Sequence, residues 1–277
     1  MGAEIVKEPT VSVIMAVYNA HVKDILDAAI ASIVNQTLNN WELLICDDAS
    51  TNQTLEWLRD WEGKDERIHI FRHEKNLKAA AARNRCLKEA RGQFIAVMDA
   101  DDVCSLDRLF KQVVFLSEHE EVAFVGLAGQ YFCSRPGDMD KRYWFCEKPR
   151  PEDFLMTLPF VHGSIMFRRN ALEAINGYDA KKRTLRSEDY DLLMRMYAQG
   201  MRGANIRDCV YYIREDENSF KRRKYRYRFV EMYVKFKGFW LLKLMPKGLL
   251  FAVKPLIAGL IPIQLLNALK ESYYQKK

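Results

Sequence analysis

Asp99-Ala100-Asp101-Asp102 closes the apolar run Phe94-Ile95-Ala96-Val97-Met98. A run that short, with Gly92 in front and carboxylates behind, reads as a buried parallel strand. Three carboxylates at the C-terminal end of a strand repel one another and bear a desolvation cost. A divalent, oxygen-seeking cation would remove that cost, with a phosphorylated ligand completing its shell. Open α/β sheets bind their ligands along this edge. A second reading fits the same residues: a solvated acidic loop capping a helix that starts near Leu106.

Two other strand ends carry polar groups of the kind a nucleotide needs, Tyr18-Asn19 and Asp47-Asp48. A carboxylate accepts a hydrogen bond from a base N–H or a ribose hydroxyl, and a tyrosine ring covers a base. The chain holds neither G-x-G-x-x-G nor G-x-x-x-x-G-K-[ST], which disfavours a dinucleotide fold and a P-loop. Phosphate charge would then be met by a metal and by arginine.

The elements that must position these groups alternate. Strands are expected at 11–17, 41–46, 67–72 and 94–98, with helices between them. Ile25, Leu26, Ala29, Ile30, Ile33 and Val34 recur at helical spacing, Ser50 or Thr51 is placed to cap the next helix, and 79–90 is an alanine-rich helix stopped by Gly92. Such alternation implies right-handed βαβ units and a mostly parallel, Rossmann-like sheet flanked by helices. After a helix over 106–119 the pattern is mixed: strands at 122–133, 161–167 and 209–213, a loop over 134–151, and helices at 170–175 and 190–198, with Asp191 expected to cap the latter. Asp47 reads as a turn or cap carboxylate, and Asp102 as a supporting or capping group.

The net charge of +6 conceals an asymmetry: residues 221–277 carry 14 Lys/Arg against two acids, leaving residues 1–220 at −6. A basic, apolar tail points to an anionic surface as partner rather than to nucleic acid. Six cysteines without a C-x-x-C pair argue against zinc and for buried thiols in a reducing compartment. No secretory cleavage pattern follows the first apolar stretch, so a cytoplasmic location is expected.

Several pieces recur together in one order: Val17-Tyr18-Asn19 closing residues 11–19, Ser32-Ile33-Val34-Asn35-Gln36-Thr37, Asp47-Asp48-Ala49-Ser50 within 41–51, Ala82-Arg83-Asn84, Asp99-Ala100-Asp101-Asp102, His162-Gly163-Ser164, and Ser187-Glu188-Asp189-Tyr190-Asp191-Leu192. This combination, spanning residues 11–192, resembles the family 2 inverting glycosyltransferases of the GT-A nucleotide-sugar fold. Arg214-Glu215-Asp216, Phe220-Lys221-Arg222-Arg223 and Lys254-Pro255-Leu256-Ile257 extend the likeness to bacterial exopolysaccharide and biofilm-matrix transferases. The resemblance implies a nucleotide-sugar donor, UDP-linked, and a polyprenyl-diphosphate-linked or other membrane glycan as acceptor. It implies a donor pocket of Ala16, Tyr18, Asp48, Arg83, Asp99, Ala100 and Asp101, with Mn2+ or Mg2+ on Asp101 and Asp99, Asp189 as general base, and Glu188 as an acceptor or diphosphate contact. Arg83 could instead be a helix-surface charge. His162 fits either an acceptor contact or a hydrogen-bonded core histidine, and Arg214 either a diphosphate contact or a partner of Glu215 or Asp216. The Q-x-x-R-W motif of processive members is missing, so one sugar per encounter is expected. Two other readings stand beside this one: a non-catalytic interaction protein on a transferase fold, and a sugar nucleotidyltransferase.

The domain boundary is expected near 218: a transferase domain over 1–218 and a basic, amphipathic helical tail over 219–277. In one continuous helix Lys243, Lys247 and Lys254 would project within a narrow arc. Within 239–266 the longest lysine-free stretch, 255–266, is too short to span a bilayer. The tail would then lie on a membrane surface at the cytoplasmic face, drawn there by Lys221-Arg222-Arg223-Lys224. Its alternative is a pair of helices packed on the main domain or on a second copy in a homodimer.

Overall fold

The computed structural model describes residues 8–143, 145–215 and 225–260. The basic cluster at 221–224, Asp216 and the stretch 261–277 lie outside the described residues. The chain runs β1 (Val11–Val17), α1 (Lys23–Val34), β2 (Trp41–Asp47), α2 (Thr54–Glu62), β3 (Ile68–Arg72), α3 (Ala79–Glu89), β4 (Phe94–Asp99), β5 (Val103–Cys104), α4 (Arg108–Glu118), β6 (Phe124–Phe132) and β7 (Arg142–Tyr143). It continues through β8 (Met166–Arg168), α5 (Arg169–Ala174), α6 (Glu188–Ala198), β9 (Gly203–Arg214), α7 (Arg226–Leu241) and α8 (Gly248–Leu260). The strands form one sheet in the order β3-β2-β1-β4-β8-β6-β9-β5, with β7 on β6. Strands β1 to β4 pair in parallel, and β6 pairs in parallel with β9, while β8 runs antiparallel between β4 and β6.

The central strands are buried on both faces, so they read as continuous apolar runs. Val13, Leu43 and Ala96 join Leu26, Ile30 and Leu109 in one core layer. Their neighbours Ile14, Leu44 and Ile95 join Ala82, Cys86 and Leu193 in the other. One polar device is buried at the opposite, N-terminal edge of the strands. Ser12 Oγ donates to Glu42 Oε1 at 2.6 Å, and Arg91 meets Glu42 Oε2 at 2.6 Å, fixing the entry into β4. Because β1, β2 and β4 are parallel, their polar C-terminal ends share the other edge.

Several expectations need correction. Residues 161–167 do not form one strand: Ser164 Oγ donates to Val161 O at 2.7 Å, and the hydroxyl's local bond favours a tight turn. A 3-10 turn over His162–Ser164 precedes the short β8. The last strand starts earlier than expected, at Gly203, because it pairs with β6 along its length with a register shift at Leu127/Ala128. The loop at 134–151 holds the short β7. Neither Ser50 nor Thr51 caps α2, which begins after Gln53; Ser50 Oγ accepts from Asn19 N–H at 2.8 Å instead. Four cysteines are buried, but Cys133 and Cys146 are exposed because they flank the β6–β7 excursion.

The tail does not form one helix. Pro246 and a left-handed Lys243 (φ 59°) sit in the connection between α7 and α8. Lys243 and Lys247 thus leave the helical arc that a continuous helix would give them. Helix α7 packs on α6: Gly238 lets the Met194 thioether approach its backbone, Val234 and Phe239 are buried, and Lys237 Nζ reaches Asp191 Oδ1 at 2.8 Å. Asp191, which also meets Arg195 Nε at 2.7 Å, is an ion-pair hub inside α6 and not its cap. The outward side of the two helices keeps Phe229, Phe236, Trp240 and Leu250 exposed, Leu250 at 78%. Among the described residues no helix is long and apolar enough to cross a membrane.

Candidate active site

Parallel register sets Ala16 of β1 between Cys46 of β2 and Asp99 of β4, so the ends of three strands lie side by side. Beyond them the chain leaves regular structure through a left-handed Asn19 (φ 47°) and a left-handed Ala49 (φ 62°). Tyr18 stands half exposed there. Asp47 Oδ1 accepts from Ser50 N–H at 3.1 Å, the turn role its position suggested.

Asp48 is 2% exposed, with both of its oxygens engaged. Its Oδ1 accepts from Leu77 N–H and lies 2.8 Å from His73 Nδ1, while Oδ2 accepts from Lys78 N–H at 2.7 Å. Lys78 adopts φ 77°, a conformation unusual for a residue with a side chain. The carboxylate holds the 73–78 loop in that shape.

Arg83 is no surface charge. It is buried, donates to Asp99 Oδ1 at 2.7 Å, and lies 3.8 Å from Glu188 Oε1. This side chain joins the end of β4 to the start of α6. Burial raises the Asp99 carboxyl, but the Arg83 charge and hydrogen bond, with Arg108, more than offset it, and Asp99 is held below the usual carboxylate range. Asp189, next to Glu188, takes the opposite shift. Burial and then the Glu188 charge push it up to about 7, although Tyr190 N–H donates to its Oδ1 at 2.8 Å. Two carboxylates of one cluster are thus driven apart, the pattern from which acid and base roles arise. Glu188 Oε2 is buried without a hydrogen-bond partner.

His162 takes the hydrogen-bonded reading, with Nε2 3.0 Å from the Tyr178 hydroxyl. Burial, then the Arg83 charge, pushes it down to about 3, so the ring is neutral. Arg214 does not pair with Glu215, and Asp216 lies outside the described residues. Arg214 donates to Cys133 O at 2.6 Å and to Asp101 O at 3.1 Å, and Glu215 pairs with Lys141 at 2.8 Å. It stitches the end of β9 to the acidic turn, of which Ala100 is the second residue. Asp102 accepts from Arg214 N–H at 2.8 Å and bonds Tyr211, a supporting role. Burial, then the charges of Asp101 and Asp99, drive its carboxyl well above the usual range.

This crowding tests the fit of a cation: the donor set is all oxygen, and its repulsion is what a divalent ion relieves. Among the described residues no three His, Cys, Asp or Glu side chains converge as a self-sufficient metal site. A cation at this turn would need further oxygens from a bound ligand to complete its shell.

Three supporting residues carried no chemical signal in the sequence. Arg108 opens α4 like a surface charge, yet is fully buried, donating to Val97 O at 2.7 Å and Gly163 O at 3.2 Å. Tyr211 sits mid-strand, and its hydroxyl accepts from Asp99 N–H at 3.1 Å. Tyr178 follows Asn176-Gly177, which reads only as a helix stop.

The parallel sheet with its acidic turn and α6 carboxylates defines an α/β protein of the GT-A type. Comparison with known proteins agrees. The profile of Glycosyl transferase family 2 matches residues 12–175, and that of Glycosyl transferase family group 2 matches 94–271. EpsE of Bacillus subtilis (strain 168), a protein named as a glycosyltransferase, is 36% identical over 97% of this chain and 94% of its own. WfgD of Escherichia coli, named as a UDP-Glc:alpha-D-GlcNAc-diphosphoundecaprenol beta-1,3-glucosyltransferase, is 43% identical over 37% of this chain and 39% of its own. Of solved structures, Staphylococcus aureus TarS 1-349 in complex with UDP-GlcNAc superposes with a TM-score of 0.71 at 18% identity, covering 92% of this chain and 77% of that one. Mannosyltransferase PcManGT from Pyrobaculum calidifontis, in complex with GDP-Man and Mn2+, gives 0.63 at 19% identity, covering 98% and 81%. At these identities the two structures show a shared fold. The chain belongs to glycosyl transferase family 2 and is by class a glycosyltransferase.

Gly163 tests the packing behind Asp99. A Cβ there would collide with the Tyr211 hydroxyl and sit 2.7 Å from Asp99 Oδ2. Gly163→Ala should lower unfolding stability in urea by about 1–3 kcal/mol. Gly63→Ala, whose Cβ meets nothing closer than 3.5 Å, should stay within about 0.5 kcal/mol. Equal effects would contradict the close approach.

Proposed function

We propose that this enzyme is a metal-assisted, inverting, non-processive glycosyltransferase. It transfers one sugar from a nucleotide sugar, UDP-linked, to a membrane-linked glycan such as a polyprenyl-diphosphate saccharide, in exopolysaccharide assembly. The observation that carries the proposal is the pairing of a carboxyl raised to about 7, Asp189, with the Arg83–Asp99 ion pair at the ligand-bearing sheet edge. The names of EpsE and WfgD support the substrate classes, and the contents of the TarS and PcManGT structures support a nucleotide-sugar donor.

In this reading Tyr18 covers the base and Ala16 lines its pocket. Asp48 shapes the 73–78 loop beside it, and its Oδ2, which accepts one backbone bond, has a lone pair left for a base N–H. Asp101, with Asp99 beside it, would hold the cation, and Ala100 keeps the turn between them compact. Bound Mg2+ or Mn2+ would offset the charge growing on the departing diphosphate. Asp189 takes the proton from the acceptor hydroxyl as that oxygen attacks the anomeric carbon, and a single in-line displacement inverts the configuration. A base near pH 7 is ionised in a useful fraction and still basic enough to accept that proton. Arg83 keeps Asp99 ionised and restrains the negative charge at Glu188 and Asp189. The tail reading follows from exposed apolar side chains on α7 and α8 joined to a basic segment: the protein binds anionic lipid at the cytoplasmic face as a peripheral protein.

Two measurements test this. Transfer from UDP-sugars to a lipid-diphosphate saccharide should rise with pH through about 7, because the base must lose its proton. Asp189→Asn should cut turnover by about 10²–10⁴-fold and erase that limb, while UDP binding persists; near-normal turnover would refute the base. In flotation with anionic vesicles the full chain should rise with the lipid, and Trp240→Glu with Leu250→Glu should leave it at the bottom. Equal flotation of both proteins would refute the membrane face.

A further inference from the structure

Beside the Arg83–Glu188 pair lies a cavity of about 660 Å³, one wall of which is the far part of the loop that Asp48 shapes. Three stretches wall it: the 76–80 loop and start of α3, the segment 179–188, and the first turns of α7. Four cations line it, Lys78, Lys181, Lys182 and Arg226, against two acids, Asp179 and Glu188. Asp179 is already paired with Arg183 at 3.1 Å, and Arg183 does not line the cavity. Glu188 lies 3.8 Å from Arg83, which is likewise outside the lining. The chamber is therefore positive in balance.

Its other walls are apolar, from Leu77, Leu185 and Val230. Two lining residues, Asn76 and Glu188, each hold a buried oxygen, Oδ1 and Oε2, that lacks a hydrogen-bond partner. Buried acceptors without donors call for hydroxyls or N–H groups. Cations on flexible stems call for phosphate oxygens. Hydrocarbon walls call for hydrocarbon. The chamber touches the base through Glu188, and α7, whose first turns line it, runs on past the exposed Phe229, Tyr233, Phe236 and Trp240.

We infer that this cavity receives the phosphorylated end of an amphiphilic acceptor. The phosphates lie against Lys181, Lys182, Arg226 and Lys78, sugar hydroxyls face Glu188 and Asn76, and the hydrocarbon chain leaves along α7. The inference rests on the proposed transfer reaction and names how the acceptor is gripped. A hydroxyl next to Asp189 and a diphosphate one sugar away would be read by one continuous surface. The source of the phosphate is the acceptor lipid and not the donor nucleotide, and the two are separable.

The test uses the full chain saturated with UDP and Mg2+, so that the donor site is filled. Geranylgeranyl diphosphate, geranylgeraniol and inorganic pyrophosphate are titrated by calorimetry. Geranylgeranyl diphosphate should bind, and geranylgeraniol and pyrophosphate should each bind about tenfold more weakly or worse. Lys181→Glu with Lys182→Glu should weaken geranylgeranyl diphosphate by about tenfold or more while UDP affinity stays within about twofold. Should that variant melt, Lys181→Gln with Lys182→Gln serves, with a smaller loss in the same direction. Lipid diphosphate affinity indifferent to both variants would overturn the inference. So would geranylgeraniol binding as tightly as its diphosphate, or pyrophosphate binding as tightly as the lipid. A parent protein that fails to bind UDP at all would instead overturn the proposed reaction, so the two failures are distinguishable.

Discussion

A buried guanidinium holds this molecule's two halves in register. Arg83 comes from the alanine-rich helix α3, whose small side chains let it lie close against β1 and β2. It meets Asp99 at the end of β4 and reaches toward Glu188 at the start of α6. A buried charge is tolerated only when paired. Burial works against the Arg83 charge, Asp99 and Glu188 sustain it, and the Tyr178 ring lies 5.8 Å from the guanidinium. The same charge keeps Asp99 ionised and His162 neutral. Arg83 therefore couples the parallel half of the sheet, which offers donor groups, to the α6 carboxylates.

Around that pair the protein spends buried polar groups freely. Arg108 and Gln112 donate to carbonyls of β4, β6 and the His162–Ser164 turn. Gln36 donates to Ser105 O at 2.8 Å and accepts from Leu109 N–H, fixing α4 beyond the acidic turn. Tyr211 stands behind Asp99 and Asp102 at a point where only glycine fits at position 163. These bonds tie loops to strands, so the acidic turn is supported from below by rigid elements.

The strand ends were legible because parallel strands leave unbroken apolar runs. Residues 11–17, 41–46 and 94–98 fall inside β1, β2 and β4, each ending where polar residues begin. The carboxylates were legible for the same reason, since acids at such ends have few structural uses. The supporting residues were hidden. Arg108 has the spacing of a surface charge, and Tyr211 that of a core aromatic. The Asp48 engagement depends on the 73–78 loop, whose turn carries no glycine to mark it. The lysine arc of the tail supposes a continuous helix, while the chain leaves helical structure between residues 242 and 247. Val234 and Phe239 are buried while Phe229, Phe236 and Trp240 are exposed, and periodicity alone does not apportion them.

The most direct check on the coupling is a titration of Asp189 itself. Carbon-13 carboxyl labelling of aspartate, with Asp189→Asn to assign the signal, reads its ionisation in the parent protein and in Arg83→Met. An apparent pKa near 7 in the parent, moving higher in Arg83→Met and returning toward the parent in Arg83→Lys, is the expected result. An Asp189 that titrates in the ordinary carboxylate range, or that ignores the loss of the guanidinium, would contradict the account.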